Sequence, residues 1–351
     1  MLQPSFRFKH AFMNGNDRIK TILKGEWPDQ RPVILHNFMM AAREAGYTMK
    51  QYREDPEAAA KAHIQAVEKY GLDGILFDVD TALLGSAIGV PTAYPENEPA
   101  RCDKPLLHTL EEVNDLQPVD ISTSERIQMT LEAIRMLKQY FGDEICVRGN
   151  VDQAPFSLAS MVRTPANWMM DLLVAQEDAF QLLDYCLEAC QQYMRLMAAE
   201  GVHMLSNGDS PAGPDMVSPE MYRTFALPYE KKLAELAHAL NVPYMLHICG
   251  NTLPILEDMP KTEIDAVELD YKTDIYQIYK HYKDRIVLSG TIDPSGIIAM
   301  GTPKQVEEKA LELLKLYEDS PRFIMNAGCA IPPETPEENI RKLVDVTRRY
   351  Q

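Results

Sequence analysis

The chain contains 351 residues, a length that one α/β barrel domain can fill. Hydrophobic residues make up 46% of it and charged residues 25%, proportions that indicate a globular protein and exclude disordered and fibrous classes. The formal net charge of −17 disfavours nucleic acids and anionic membranes as partners, because both are polyanionic.

Targeting and redox features indicate a cytoplasmic protein. The amino-terminal segment lacks the apolar stretch of a signal peptide, and no apolar run is long enough to span a membrane. The six cysteines are spread along the chain without the density of a secreted disulfide framework. Cysteines that meet in space are therefore expected to bind metal and not to form cross-links.

Short β-rich runs alternate with longer helical segments about eight times along the chain. This count favours a closed (β/α)8 TIM barrel in a single domain over an open, doubly wound sheet, which fits the same alternation. A dinucleotide-binding fold is disfavoured further because no Gly-x-Gly-x-x-Gly follows the first strand. The predicted strands are residues 32–36, 73–78, 144–149, 202–207, 242–248, 264–270, 285–290 and 322–327.

Two segments lie outside the regular repeat. Residues 1–30 are predicted to be an N-terminal extension, with the barrel spanning 31–351. Residues 90–123, rich in Pro, Glu and Asp, are predicted to be an insertion after the second strand. Within the repeat, Asp55-Pro56-Glu57 and Ser218-Pro219-Glu220 are typical helix starts.

Polar side chains gather just after the predicted strands. In a barrel of this type the loops after the strands surround the active site. Helix capping explains many of the Asp and Asn residues equally well, but it does not explain a His-x-Cys pair. The strand-end residues are His36, Asn37, Asp78, Asp80, Arg148, Asn150, Asn207, Asp209, His247, Cys249, Asp270, Asp293, Asn326 and Cys329.

The sequence predicts a zinc site at three of these positions. His247 and Cys249 are two residues apart on a strand, so their side chains point to the same side, and barrel closure brings Cys329 to the same end. A single buried Cys or His is usually a packing residue, so the prediction depends on the three coinciding at strand ends. One imidazole and two thiolates select zinc over magnesium or calcium and leave a fourth position open. Adjacent glycines, Gly250 and Gly328, permit tight turns there.

Four more residues are predicted to support this site. Asp270 or Glu268 is expected to fill the fourth zinc position before substrate arrives, and both are predicted to be catalytic. Asn207 and Asp209 follow the fourth strand and are predicted to orient the substrate or neighbouring groups, although an Asp-Ser-Pro run is as often a turn.

Two segments resemble a known family. The stretch 217–252, which ends in LHICGNT, and the stretch 326–336, NAGCAIPPETP, resemble the uroporphyrinogen decarboxylase superfamily and, more closely, its methylcobamide:coenzyme M methyltransferase branch. The resemblance runs from about residue 30 to the end. It implies a TIM barrel and, in the methyltransferase branch, a zinc ion held by a His-x-Cys pair and a later Cys. These fall on His247, Cys249 and Cys329.

The resemblance also implies where substrate binds. His36 and Asn37 lie where the family binds its substrate, and Asp80 matches a family aspartate. The decarboxylase motif RQAGR pairs two arginines with substrate carboxylates, but the corresponding run here is REAGY, in which Tyr47 replaces the second arginine. Tyr47 thus implies a substrate less acidic than a porphyrinogen.

Two further departures disfavour the decarboxylase. The family's active-site tyrosine falls on Met161, and its late histidine falls on Cys329. An enzyme that binds a substrate with many carboxylates is not expected to discard these groups.

The resemblance therefore implies a zinc-dependent corrinoid methyltransferase. It would move a methyl group between a corrinoid protein and a small molecule, either to a thiol acceptor such as coenzyme M or from an O- or N-methyl donor. A separate corrinoid-binding protein would supply the methylated corrinoid, since the chain has no Asp-x-His-x-x-Gly run. Two alternatives stay open: a carboxy-lyase of the uroporphyrinogen decarboxylase type, and a non-catalytic barrel that binds a thiol or a corrinoid protein.

Overall fold

Residues 12–350 are described by the structure, which is a computed structural model. Eight parallel strands form one sheet, and their order across the sheet follows their order along the chain. All eight predicted strands are present. They are β1 (Ile34–Leu35), β2 (Gly74–Phe77), β5 (Cys146–Gln153), β6 (Met204–Gly208), β7 (Tyr244–Ile248), β8 (Ala266–Leu269), β9 (Val287–Ser289) and β10 (Phe323–Ile324).

The sheet closes where the last strand returns to the first. A parallel bridge joins Val33 to Met325, and the amide of Met325 donates to the carbonyl oxygen of Pro32 at 2.9 Å. The predicted single-domain (β/α)8 barrel is therefore confirmed. Helices cover the outer face of the strands, which explains why the strands are nearly continuous apolar runs in the sequence.

Both helix-start signals are confirmed. The side chain of Asp55 accepts a hydrogen bond from the amide of Glu57 at 2.9 Å, and that of Ser218 accepts one from Met221 at 3.2 Å. The α-helices are α1 (Gly15–Leu23), α2 (Phe38–Glu44), α3 (Met49–Glu54), α4 (Pro56–Tyr70), α5 (Leu83–Ala87), α6 (Glu125–Phe141), α7 (Pro155–Arg163), α8 (Pro165–Val174), α9 (Gln176–Ala199), α10 (Pro219–Met221), α11 (Leu227–Ala239), α12 (Ile275–Tyr282), α13 (Pro303–Leu316) and α14 (Glu337–Arg349). A π-helical turn, Tyr222–Ala226, joins α10 to α11, and a second, Pro294–Ala299, follows β9.

The insertion predicted at residues 90–123 lies between α5 and α6, after the second strand. It contains a short antiparallel hairpin, β3 (Thr92–Ala93) with β4 (Arg101–Cys102), and the 3₁₀ helix Leu110–Asp115. The buried guanidinium of Arg53 donates to the carbonyl oxygens of Pro95 and Glu98, which ties the insertion to α3. The insertion is thus packed on the barrel.

Helix α1 closes the amino-terminal end of the barrel. Ile19 and Ile22 are buried in one cluster with Ile34, Leu76 and Ile324 from three barrel strands. Burying each isoleucine contributes about 1.5–3 kcal/mol. Part of the predicted N-terminal extension therefore completes the barrel. Residues 1–11 of that extension lie outside the described residues, and the boundary at residue 30 stays a prediction.

Among residues 12–350, no helix is both long and apolar enough to cross a membrane.

Candidate metal centre

Three side chains from two distant segments meet at the carboxyl end of the barrel. His247, Cys249 and Cys329 each offer one ligand atom, and these atoms all lie within 4.8 Å of one another. Nε2 of His247 is 2.9 Å from Sγ of Cys249, and the two sulfurs are 3.4 Å apart. All three residues are partly exposed, so a small molecule can reach them. Within the described part of the chain this is the one such group of His, Cys, Asp or Glu residues.

The ring of His247 is oriented by a backbone carbonyl. Its Nδ1 lies 3.1 Å from the carbonyl oxygen of Glu268, which can only accept a hydrogen bond. Nδ1 therefore carries the proton, and Nε2 presents its lone pair towards the sulfurs. Zinc-binding histidines are commonly oriented in this way.

The two thiols differ in acidity. The hydrogen bond between them lowers the pKa of Cys249 and raises the pKa of Cys329 to about 12. The first proton to leave the pair thus leaves a thiolate on Cys249, stabilised by the remaining thiol. Thiolate is the form of cysteine that binds metal, so the donor set fits a soft divalent cation.

The carboxylate of Glu268 lies fully buried beside the three ligand candidates. Its Oε1 is 3.4 Å from Nδ1 of His247 and 3.3 Å from Nδ1 of His36. Its Oε2 accepts hydrogen bonds from Arg148 and, at 3.3 Å, from Nδ2 of Asn326. Burial raises the pKa of Glu268, but Arg148 and the two histidines outweigh it and hold the pKa far below its usual range. Glu268 is therefore an anion surrounded by partners.

His36 connects this carboxylate to a second one. Its Nε2 lies 3.1 Å from Oδ2 of Asp78 on the neighbouring strand end. Burial opposes protonation of His36, but the hydrogen bond to Asp78 and the adjacent carboxylate of Glu268 raise its pKa to about 10. The predicted substrate-binding residue His36 is thus a largely buried cation that lies between two carboxylates.

Asp270 holds the backbone turn that follows Cys249. Its Oδ2 accepts from the amide of Gly250 at 3.0 Å, and its Oδ1 accepts from that of Lys272 at 3.3 Å. Gly250 has a φ of +83°, a conformation that favours glycine. Neither Asp270 nor Glu268 belongs to the group of ligand atoms within 4.8 Å, so a role as fourth ligand stays a prediction.

The other predicted substrate residues are dispersed. Asn37 is buried, and its Nδ2 makes no hydrogen bond within the described residues. Tyr47 lines a surface pocket together with Arg43, Pro333 and Glu334, and Arg43 pairs with Glu334 at 2.8 Å. That pocket does not include the three ligand candidates.

Three further predicted residues are buried and bonded to protein groups. Asp80 pairs with Arg126 and accepts from the amide of Ala82 at 2.9 Å. The Nδ2 of Asn207 donates to the carbonyl oxygen of Gln153 at 3.1 Å. Oδ1 of Asp209 accepts from the hydroxyl of Ser157 at 2.6 Å. Contact of these side chains with substrate stays a prediction.

Sequence reasoning missed several residues that shape the site. Arg148 carried a signal, since it stands near the end of the predicted strand 144–149, but nothing marked it as the partner of Glu268. Arg126, the partner of Asp80, lies within the first turn of α6 and not at a strand end. Ser210 belongs to no recognisable sequence motif, although its hydroxyl accepts a hydrogen bond from the amide of Cys249 at 3.1 Å. Only the folded chain brings these residues to the site.

Asp152 lies in the irregular last part of β5, and its pKa predicts how the stability of the protein depends on pH. Burial, followed by the charges of Asp78 and Asp80, raises the pKa of Asp152 to about 8. Between about pH 4 and pH 8 the unfolded chain has lost this proton while the folded chain keeps it, so this group makes stability fall as pH rises through that window. Asp152→Asn should remove the loss and stabilise the protein at pH 8 by on the order of 1–3 kcal/mol.

Urea unfolding of both proteins at pH 5 and pH 8 checks this. The stability difference between Asp152→Asn and the parent protein should be larger at pH 8. An equal difference at both values would contradict the raised pKa.

Comparison with known proteins identifies the family to which the chain belongs. The uroporphyrinogen decarboxylase (URO-D) model matches residues 14–350. The chain belongs to the uroporphyrinogen decarboxylase family. Methylcobamide:CoM methyltransferase MtbA of Methanosarcina acetivorans is 30% identical over 248 residues, which cover 71% of each protein. Uroporphyrinogen decarboxylase of Parasynechococcus marenigrum is 29% identical over 339 residues, covering 90% of this chain and 91% of that protein.

A solved structure agrees with the barrel. A methyltransferase from Methanosarcina mazei superposes with a TM-score of 0.87 at 24% identity, covering 95% of this chain and 98% of that one. The resemblance to the uroporphyrinogen decarboxylase family and its methyltransferase-like branch is therefore confirmed. Family members similar to this chain include both methyltransferases and decarboxylases, so the residues of the site must distinguish the two activities.

Proposed function

We propose that this protein is a zinc-dependent methyltransferase that moves a methyl group between a protein-bound corrinoid and a small molecule. The observation that carries the proposal is the convergence of one imidazole and two sulfurs within 4.8 Å at the open end of the barrel. His247, Cys249 and Cys329 would hold the ion. Zinc bound by three protein ligands lowers the pKa of a thiol that binds beside it, so that the nucleophilic thiolate is present at neutral pH.

The chain's own residues prepare this site before substrate arrives. The carbonyl of Glu268 holds His247 in the tautomer that leaves Nε2 free. Ser210 and Asp270 bind the amides of Cys249 and Gly250, which keeps this sulfur in place. A prearranged ligand set loses little entropy on binding an ion, and a thiol substrate then meets an ion of fixed position.

Several features favour methyl transfer over decarboxylation. Decarboxylation of a porphyrinogen needs cations for many carboxylates, but Arg43 is half exposed and already paired with Glu334. By the sequence resemblance, Tyr47 stands where the decarboxylase motif has its second arginine. Arg126 and Arg148 are committed to the buried carboxylates of Asp80 and Glu268. Their charges are therefore not free for a polyanionic substrate.

The rim of the barrel suits a protein partner that delivers the corrinoid. Large exposed apolar side chains occur in the segments after six successive barrel strands, from β2 to β9. Segments that follow the strands of such a barrel surround its active-site end, and exposed apolar side chains in them suit contact with a protein partner. They are Tyr94, Met170, Leu173, Val174, Met216, Leu253, Tyr271 and Met300.

Direct assay tests the function. The purified protein should contain about one zinc ion per chain and should demethylate methylcobalamin with one member of a panel of thiols, coenzyme M included. Incubation of cob(I)alamin with methoxylated and N-methylated donors tests the reverse direction. The absorption spectrum of the corrinoid reports which direction is used.

The outcomes separate the alternatives. Release of carbon dioxide from uroporphyrinogen without added metal would support the carboxy-lyase and contradict our proposal. Binding of a thiol or of a corrinoid protein without turnover would support the non-catalytic barrel. The cytoplasmic location expected from the sequence is part of the proposal.

A further inference from the structure

The loop after β8 lies between the two cysteine-bearing segments. Residues 269–273, here called the spacer loop, begin at the last residue of β8, the strand that carries Glu268. On one side the spacer loop contacts the turn that begins at Cys249, and on the other it contacts the backbone just before Cys329. These two sets of contacts are independent of each other.

On the first side, Thr273 holds both ends of the turn. Its Oγ1 accepts from the amide of Thr252 at 2.8 Å and donates to the carbonyl oxygen of Gly250 at 3.1 Å. The hydroxyls of the two threonines are 2.9 Å apart. Both threonines are almost completely buried, so water does not compete for these bonds. One hydroxyl of the spacer loop thus closes the turn that directs Cys249.

On the second side, Gly328 lies flat against the spacer loop. A Cβ atom at Gly328 would lie 2.9 Å from the carbonyl oxygen of Leu269 and 3.0 Å from Cα of Asp270 and the amide nitrogen of Tyr271. All three are backbone atoms, which cannot rotate away. Gly328, the residue before Cys329, is therefore packed against the backbone of the spacer loop with no room for a side chain.

We propose that the spacer loop sets the 3.4 Å separation of the Cys249 and Cys329 sulfurs, and that Thr273 is its positioning residue. Thr273 touches neither sulfur and acts through the Gly250–Thr252 backbone. The consequence for metal binding rests on the proposed function, whereas the consequence for sulfur separation does not.

Two variants of Thr273 test the inference. Thr273→Val keeps the shape of the side chain but removes the hydroxyl, whereas Thr273→Ser keeps the hydroxyl. Zinc affinity, measured by competition with a chromophoric chelator, should fall about 10–100-fold in Thr273→Val, the usual effect of losing an outer hydrogen bond at a metal site. Thr273→Ser should stay within about threefold of the parent protein. In the cobalt-substituted protein, the sulfur-to-metal charge-transfer bands should shift in Thr273→Val alone.

A metal-free assay isolates the geometry. Glutathione disulfide can oxidise the two thiols of the chelator-treated protein to one disulfide while it is reduced to two glutathione thiols. Intact mass reports the rate of this cross-link, which should be slower in Thr273→Val than in the parent protein and in Thr273→Ser. Thr347→Val serves as the matched control, because Thr347 is equally buried but binds Leu343 within α14.

The outcomes are distinguishable. Parental zinc affinity and cross-linking in Thr273→Val would overturn the inference, and so would equal losses in Thr273→Val and Thr273→Ser, or in the Thr347→Val control. If the parent protein binds no zinc, the proposed function fails, but the cross-linking rates still decide the role of Thr273. Gly328→Ala provides a second test from the other side of the loop and should also slow cross-linking.

Discussion

Replacing Cys329 by alanine should reduce the zinc content of the purified protein from about one ion per chain to almost none, and methyl transfer should be lost with it. Without Cys329 only His247 and Cys249 remain as candidate ligands, and two protein ligands bind zinc far more weakly than three. Metal analysis after gel filtration measures the content, and the decay of the methylcobalamin spectrum measures the activity.

A matched control separates ligand loss from general damage. Cys102 is partly exposed in the β3–β4 hairpin, where its sulfur lies 3.4 Å from the hydroxyl of Thr92. Cys102→Ala removes a sulfur outside the candidate centre and should leave zinc content unchanged. Normal zinc content in a folded Cys329→Ala protein would rule out the proposed ligand set.

Breaking the buried ion pair between Arg148 and Glu268 should cause the largest loss of stability. Both side chains are almost fully buried, so Arg148→Met would leave the charge of Glu268 poorly compensated. Removal of one partner of such a pair typically costs about 3–5 kcal/mol. Urea unfolding in the presence of a chelator measures this cost without any contribution from bound metal.

The double variant provides the decisive comparison. In Arg148→Met/Glu268→Met neither member of the pair is left as an unpaired charge, and His36 keeps Asp78, so the unfolding free energy of the double variant should exceed that of Arg148→Met alone. A loss in the double variant equal to the sum of two large single losses would mean that the two residues act separately. His36 would then have to be the main partner of Glu268.

Much of the fold could be predicted because it depends on local patterns. Each strand is a short apolar run between helical segments, and Asp55 and Ser218 mark helix starts through capping that is complete within three residues. The closing contact between Val33 and Met325 followed only from counting eight strands. The packing of α1 against the amino-terminal end was not predicted, because Ile19 and Ile22 resemble those of any amphipathic helix until the barrel is formed.

The candidate site was predictable only where sequence spacing reflects geometry. His247 and Cys249 share a strand, and Cys329 follows the last strand, so topology alone brought them together. The roles of Glu268 and Asp270 depend on distances of about 3 Å between loops, which no spacing rule reports. Thr273 and Ser210 act through backbone amides, and such contacts leave no trace in residue type.

The seal formed by α1 at one end of the barrel has a kinetic consequence. A ligand of the candidate metal centre is then expected to enter and leave through the opposite end, where the corrinoid carrier of the proposed function would also bind. In the proposed methyl transfer both reactants would share this one opening, and the larger one would obstruct it. Turnover should accordingly follow a compulsory order in which the small molecule is seated first, so that excess carrier protein inhibits the reaction at low concentrations of the small substrate.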